Sequence, residues 1–162
     1  MDAGGLRLQV ISHFGYEGSA AWCRAINDDV SERVRSPAAH DCFAAFAPLS
    51  MSEPAGVAAE LCRCVTELRF AEPLIDNHLH DGTIYDDERF WPVFEQAEEF
   101  GVPIYLHPSF ASKAEHQRHA GNYDARTQAM LSMASWSWHS ETALHFLRLF
   151  SAGPFDRFPK RS

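Results

Sequence analysis

Residues 73–82, PLIDNHLHDG, place an aspartate and two histidines within five positions. Side chains alternate along a strand, so His78 and His80 would share a face if a strand ran through them, and two imidazoles on one face can hold one divalent ion. Asp81–Gly82 is a turn signal and Asn77 is a poor strand former. The stretch is therefore better read as a polar loop after a strand, with Asp76, His78 and His80 lining or covering a pocket. A second candidate is His107 in VPIYLHP (102–108). Here Pro103, Tyr105 and His107 fall on one face of a strand, and Ile104 and Leu106 on the other. A strand-end imidazole suits a borderline ion such as zinc. A lone histidine of this kind is more often a hydrogen-bonded structural residue. His13, just past the first apolar run, could face the same rim. His116 and His119 lie in a polar segment and are expected to be solvated, while His139 and His145 fall near or on the last helix. No Gly-x-Ser-x-Gly elbow is present to support a serine nucleophile.

Strand-like and helix-like segments alternate. Residues 6–12 read as a strand bounded by Gly4–Gly5 and Gly15. Residues 19–35 space Trp22, Ile26, Val30 and Val34 four apart, a helical stripe closed by Pro37. Residues 42–51 are a short apolar strand. The next helix has Ser52 as N-cap, Pro54 in its first turn and a stripe of Val57, Leu61, Val65 and Leu68. Residues 70–78 form the next strand. Pro92 is awkward inside a helix, so the helix over 86–101 starts near Trp91, carries Phe90, Phe94 and Ala97, and ends at Gly101. After the strand at 102–108, residues 109–135 form a long polar loop, with room for short helices. Residues 140–153 form a last helix with Ser140 as N-cap, a stripe of Ala143, Phe146, Leu147 and Phe150, and Gly153 as C-cap. Such alternation implies parallel β/α units in one α/β domain over residues 1–162, as a barrel or a doubly wound sheet. No glycine-rich phosphate loop follows any strand, which argues against a nucleotide fold.

The chain has 162 residues, 46% hydrophobic and 22% charged, with a formal net charge of −8. Its Lys and Arg are scattered, so nucleic acid and anionic membranes are poor partners. No apolar run reaches the ~20 residues of a membrane span, and the first residues lack the features of a signal peptide. Cys23, Cys42, Cys62 and Cys64 contain no Cys-x-x-Cys pair and read as reduced thiols of a cytoplasmic protein.

Three blocks, FAAFAPLSMSEPAGVAAELCRCV, LIDNHLHDGTIYDDERFWPVFEQAEEFGVPIYLHP and SETALHFLRLFSAGPFDRFP, resemble consecutive blocks of the amidohydrolase-related family of metal-dependent decarboxylases. That family includes 2,3-dihydroxybenzoate, γ-resorcylate and aminocarboxymuconate semialdehyde decarboxylases. The resemblance implies a partial (β/α)8 TIM barrel, covering about strands two to five with their helices. It implies one divalent metal, Zn or Mn, and an aromatic or unsaturated carboxylic acid as substrate. It makes His107 the metal ligand after the fifth strand, one of four ligands expected in the family. His78 and His80 follow the fourth strand and become pocket candidates, together with Asp76, Tyr105 and His13. The family's N-terminal Glu-x-His or His-x-His pair, its Gly-His-x-Gly-Glu histidine and its last-strand Asp have no match, so no catalytic residue is assigned. A decarboxylase that is incomplete in this chain is the leading expectation. The alternatives are a metal-dependent hydrolase or lactonase, and a non-enzymatic half-barrel that associates through its sheet edges as a homo-oligomer.

Overall fold

In a computed structural model, which describes residues 4–13, 18–39 and 42–159, four parallel strands alternate with helices. The strands are β1 (Gln9–Ile11), β2 (Phe43–Pro48), β3 (Glu72–Asp76) and β4 (Tyr105–His107), paired in the order β1-β2-β3-β4. The helices are α1 (Ala20–Val34), α2 (Pro54–Thr66), α3 (Trp91–Phe100), α4 (Lys113–Arg118), α5 (Ala125–Leu131), α6 (Ser137–Ala152) and α7 (Pro154–Arg157). Gly15, expected to bound the first strand, lies outside the described residues. Among the described residues no helix is long and apolar enough to cross a membrane.

Alternation assigns the two faces of the sheet. Ala45, Ala47, Leu49 and Ile75 are buried against the helices, with Ile104 and Leu106 packed beside them. Phe46, Leu74, Asp76, Tyr105 and His107 occupy the opposite face, as the register Leu74↔Tyr105 and Asp76↔His107 requires. Phe46 and Tyr105 are separated by all of β3, yet their rings stack at 5.4 Å and 27°. Strands two places apart in a flat sheet lie ~9.6 Å apart. The stack therefore records a sheet curled into half a barrel, concave on the face that carries His107.

Several local expectations need correction. The N-cap position of α2 is Glu53 and lacks a side-chain cap, because the Ser52 hydroxyl pairs instead with Ser50 Oγ at 2.7 Å. The α1 stripe is rotated by one residue: Cys23, Asn27, Ser31 and Val34 are buried. Asn27 faces inward because its amide donates to Pro48 O and to Glu60 Oε1. The segment 109–135 contains α4, closed by a reciprocal Ser112–Glu115 capping box, and α5, capped by Asp124. His119, expected in solvent, is buried on the inner side of α4.

The largest correction concerns α6. It begins at Ser137 rather than Ser140, whose hydroxyl donates to Ser137 O. Its apolar stripe faces outward, with Phe146, Leu147 and Phe150 all more than half exposed. The buried side holds Ser137, His145 and Leu149. The reason is polar. His145 is fully buried, its Nδ1–H donates to Asn77 O at 2.5 Å, and its Nε2 accepts from Tyr85 N–H at 3.2 Å. Those two bonds set the roll of the helix. An Arg148–Asp86 ion pair at 2.6 Å supports the same orientation.

Candidate active site at the C-terminal rim of the sheet

β3 ends at Asp76 and β4 at His107, and the two are register partners. This brings a carboxylate and an imidazole side by side at the C-terminal edge of a curled parallel sheet, the end that carries chemistry in β/α barrels. Ser109 reinforces the pairing: its Oγ accepts from Asn77 N–H at 2.8 Å, tying the loop after β4 to the end of β3. His107 Nδ1 lies 2.8 Å from Pro108 O. A carbonyl can only accept, so the proton sits on Nδ1 and Nε2 carries the lone pair a metal would take.

Tyr105 is 46% exposed, stacked on Phe46, and its ring lies 6.2 Å from that of His107. The three side chains make an aromatic row that climbs the concave face to the rim. Asp76 also borders a cavity of about 10 Å³ with Ser50, Ser52 and Tyr85.

His78 and His80 do not continue the strand. The chain bends after Asp76, Leu79 N–H donates to Thr83 O, and Gly82 closes the turn with φ at 82°. His78 donates from Nδ1 to Leu79 O, and His80 is exposed. His13 lies at the β1 edge, the opposite side of the sheet from β4, where its ring meets Trp22 edge-on at 6.3 Å. The structure thus joins Asp76, Tyr105 and His107, places His78 and His80 on the neighbouring turn, and separates His13 from them.

Two carboxylates that sequence reasoning did not bring together, Glu115 and Glu141, lie near His78. Burial raises the Glu141 carboxyl above its usual range, and the Glu115 charge beside it adds to that effect. Burial acts on Glu115 in the same sense, but hydrogen bonds from Ser112 outweigh it and hold Glu115 low. The two carboxyls thus lie close enough to push each other's affinity for a proton apart, and Arg118 stands 3.4 Å from Glu141. The spacing of Glu115 from Ser112 was a legible signal, since Ser-x-x-Glu is a capping box. The pairing with Glu141 is tertiary.

Among the described residues no group of three or more His, Cys, Asp and Glu is gathered to hold a metal. Asp76 and His107 fit an ion chemically, as hard oxygen and borderline nitrogen donors, but two donors do not make a closed centre.

Residues 3–161 match the family model described as Amidohydrolase. The chain is 41% identical over 162 residues to the decarboxylase orsB of Emericella nidulans, covering 99% of this chain and 49% of that protein. The fold superposes on 2,6-dihydroxybenzoate decarboxylase from Rhizobium with a TM-score of 0.85 at 28% identity, covering 100% of this chain and 52% of that one. It also superposes on a dihydroxybenzoic acid decarboxylase from Polaromonas sp. JS666, solved with bound manganese and the inhibitor 2-nitroresorcinol, with a TM-score of 0.85 at 30% identity. That match covers 100% of this chain and 50% of the Polaromonas chain. The chain thus spans about half the length of the curated relatives it matches, and its four strands correspond to half of their barrel. A match running through nearly every residue, on a curled parallel sheet with its polar groups at the C-terminal rim, makes this chain a member of the amidohydrolase family.

Proposed function

We propose that the chain forms the half of a metal-dependent aromatic-acid decarboxylase that carries His107, and that it acts as part of a complete barrel mouth. The observation that carries this reading is the Asp76–His107 pair set beside the Phe46–Tyr105 stack. An aromatic acid needs a flat apolar surface for its ring and a cation to meet its carboxylate; the Phe46–Tyr105 stack supplies the first, and Asp76 with His107 supplies ligands toward the second. In this reading His107 Nε2 is a ligand, Asp76 lies beside it, and Tyr105 with Phe46 orients the ring. A divalent ion bound there would supply Lewis-acid polarisation of the acid. Mn is favoured because a related decarboxylase was solved with manganese. His78, with the Glu141–Glu115 pair, sits where a proton could be held near the rim. A cytoplasmic setting accords with the four free thiols.

The test has two arms. Purified chain is equilibrated with Mn²⁺ or Zn²⁺, dialysed and analysed for metal. It is then assayed for CO₂ release from dihydroxybenzoates, alone and mixed with the C-terminal half of a related decarboxylase. His107→Ala should lower retained metal far more than His78→Ala or His80→Ala. Equal losses in all three, or metal retention that ignores His107, would refute the assignment.

A further inference from the structure

His145 is fully buried on α6, and the function proposed above gives it no part. Both of its ring nitrogens are committed, and the ring of Tyr85 packs against it at 4.9 Å and 64°. The backbone groups it binds belong to Asn77 and Tyr85, both shielded from water, where an unmet backbone group is costly. From Asn77 the contacts continue to the rim. Asn77 is pinned on both of its peptide units: its C=O accepts from His145 Nδ1–H at 2.5 Å, and its N–H donates to Ser109 Oγ at 2.8 Å. Asp76 shares the second of these units, and a peptide unit is planar, so Asp76 is held with it. Ser109 in turn shares a peptide unit with Pro108, whose C=O receives His107 Nδ1–H at 2.8 Å.

We infer that His145 is a positioning residue for the rim: through Asn77, Ser109 and the Pro108 carbonyl it holds the His107 proton on Nδ1 and so keeps Nε2 as the nitrogen that accepts. Which ring nitrogen of a histidine takes a metal is set by the bond the other one makes, and partners behind a ligand fix its tautomer and orientation. Docking of α6 alone does not call for a histidine. Leu149, one turn further on, is packed in the core, and Arg148 pairs with Asp86. What the imidazole adds is one donor and one acceptor in fixed directions, joining the two ends of the 77–85 loop. The relay rests on these hydrogen bonds alone. The value of Nε2 as a metal nitrogen rests on the function proposed above.

Long-range nitrogen–proton NMR of the metal-free chain, with labelled histidines, reads the tautomer of His107 directly at mildly alkaline pH, where imidazoles are neutral. Wild type should carry the proton on Nδ1. His145→Gln and Ser109→Ala should each lower the ratio of the Nδ1–H to the Nε2–H form by at least ~3-fold, because the carbonyl that selects the tautomer is then no longer held in place. Ser109→Thr keeps the hydroxyl and should retain the wild-type ratio. Arg148→Ala loosens α6 without breaking the relay and should also leave the ratio unchanged, which a role for His145 in docking alone would not allow. Ser109→Ala, at a half-buried site, carries the test if the His145 variant does not fold. A wild-type proton on Nε2, a ratio that neither variant moves, or an equal shift in Arg148→Ala overturns the inference. Mn²⁺ titration of the same proteins separates the relay from the function it serves. Affinity should fall by ~10-fold wherever the ratio falls. A shifted ratio in a chain that binds no Mn²⁺ even as wild type refutes the ligand reading and leaves the relay standing.

Discussion

His145 should make this fold acid-sensitive, and the size of the effect can be worked out. Burial pushes the imidazole down from its ordinary value of 6.5 to about 4, against an opposing contribution from its bond to Asn77 O. The folded state thus holds His145 neutral, and the unfolded chain takes up a proton first as pH falls. The stability this represents is complete above pH 6.5 and drains away as pH drops toward 4. The full span is about 3 kcal/mol, of which about 2 kcal/mol is lost by about pH 5. A stereochemical reason reinforces the figure: protonation would turn Nε2 from an acceptor into a donor facing the Tyr85 N–H. Urea unfolding from about pH 8 to about pH 4.5, on wild type and His145→Gln, reads this directly. Other groups titrate in the same range, so the difference between the two proteins is the observable. The variant should be less stable near neutral pH by ~1–3 kcal/mol, since buried backbone groups lose a well-placed partner. Its curve should converge on that of wild type as the solution is acidified. Parallel curves would show that His145 does not titrate with folding, and the clamp between α6 and the 77–85 loop would have to be abandoned.

Glu60 of α2 ties the helix to α1 through Arg24 at 3.1 Å and Asn27 at 3.0 Å, while its 2.6 Å bridge to Arg63 lies within α2. Glu60→Gln should cost about 2 kcal/mol in chemical denaturation, while Arg24→Ala, at an exposed end of the network, should cost less than ~0.5 kcal/mol; equal costs would refute the ranking. Gly101 ends α3 at φ 63°, with nothing within 4 Å of the position a Cβ would take, so Gly101→Ala should lose about 1 kcal/mol from backbone strain alone, and a loss above ~3 kcal/mol would reveal an unseen contact. Burial raises the Cys23 thiol to about 11 and pushes Cys64 higher still. Mass spectrometry after limited alkylation at neutral pH should therefore find Cys42 and Cys62 modified first, and early labelling of Cys64 would contradict the packing of α2.

The order of strands and helices was legible because apolar periodicity, proline and glycine act locally. Pro92 fixed the start of α3 near Trp91, and Gly101 marked its end in the left-handed region. Orientation was less legible. Periodicity finds the apolar stripe of α6 but cannot say which way it faces, and two hydrogen bonds to His145 turned that stripe outward. Asn27 misled in the same sense, since its burial depends on Glu60 and Pro48 far along the chain. At the rim, alternation in VPIYLHP correctly set Tyr105 with His107 and opposite Ile104 and Leu106. The His78-x-His80 spacing could not show that the strand stops at Asp76, because Asn77 gives its N–H to Ser109 and its C=O to His145. The proximity of Glu115 and Glu141 was not legible, because they meet only when α4 and α6 are both in place.

The simple strand order has a consequence for how the molecule is made. Each strand pairs with the one synthesised just before it, and the paired segments lie about thirty residues apart in every case. Among the described strands each pairing closes a loop of similar length, so loop closure costs nearly the same at each step. Such a sheet can assemble in the order it leaves the ribosome, each new β/α unit docking on a finished edge. The helix α1 and strand β2 would then be in place before α6 exists, so that α6 docks on a sheet already formed beneath it.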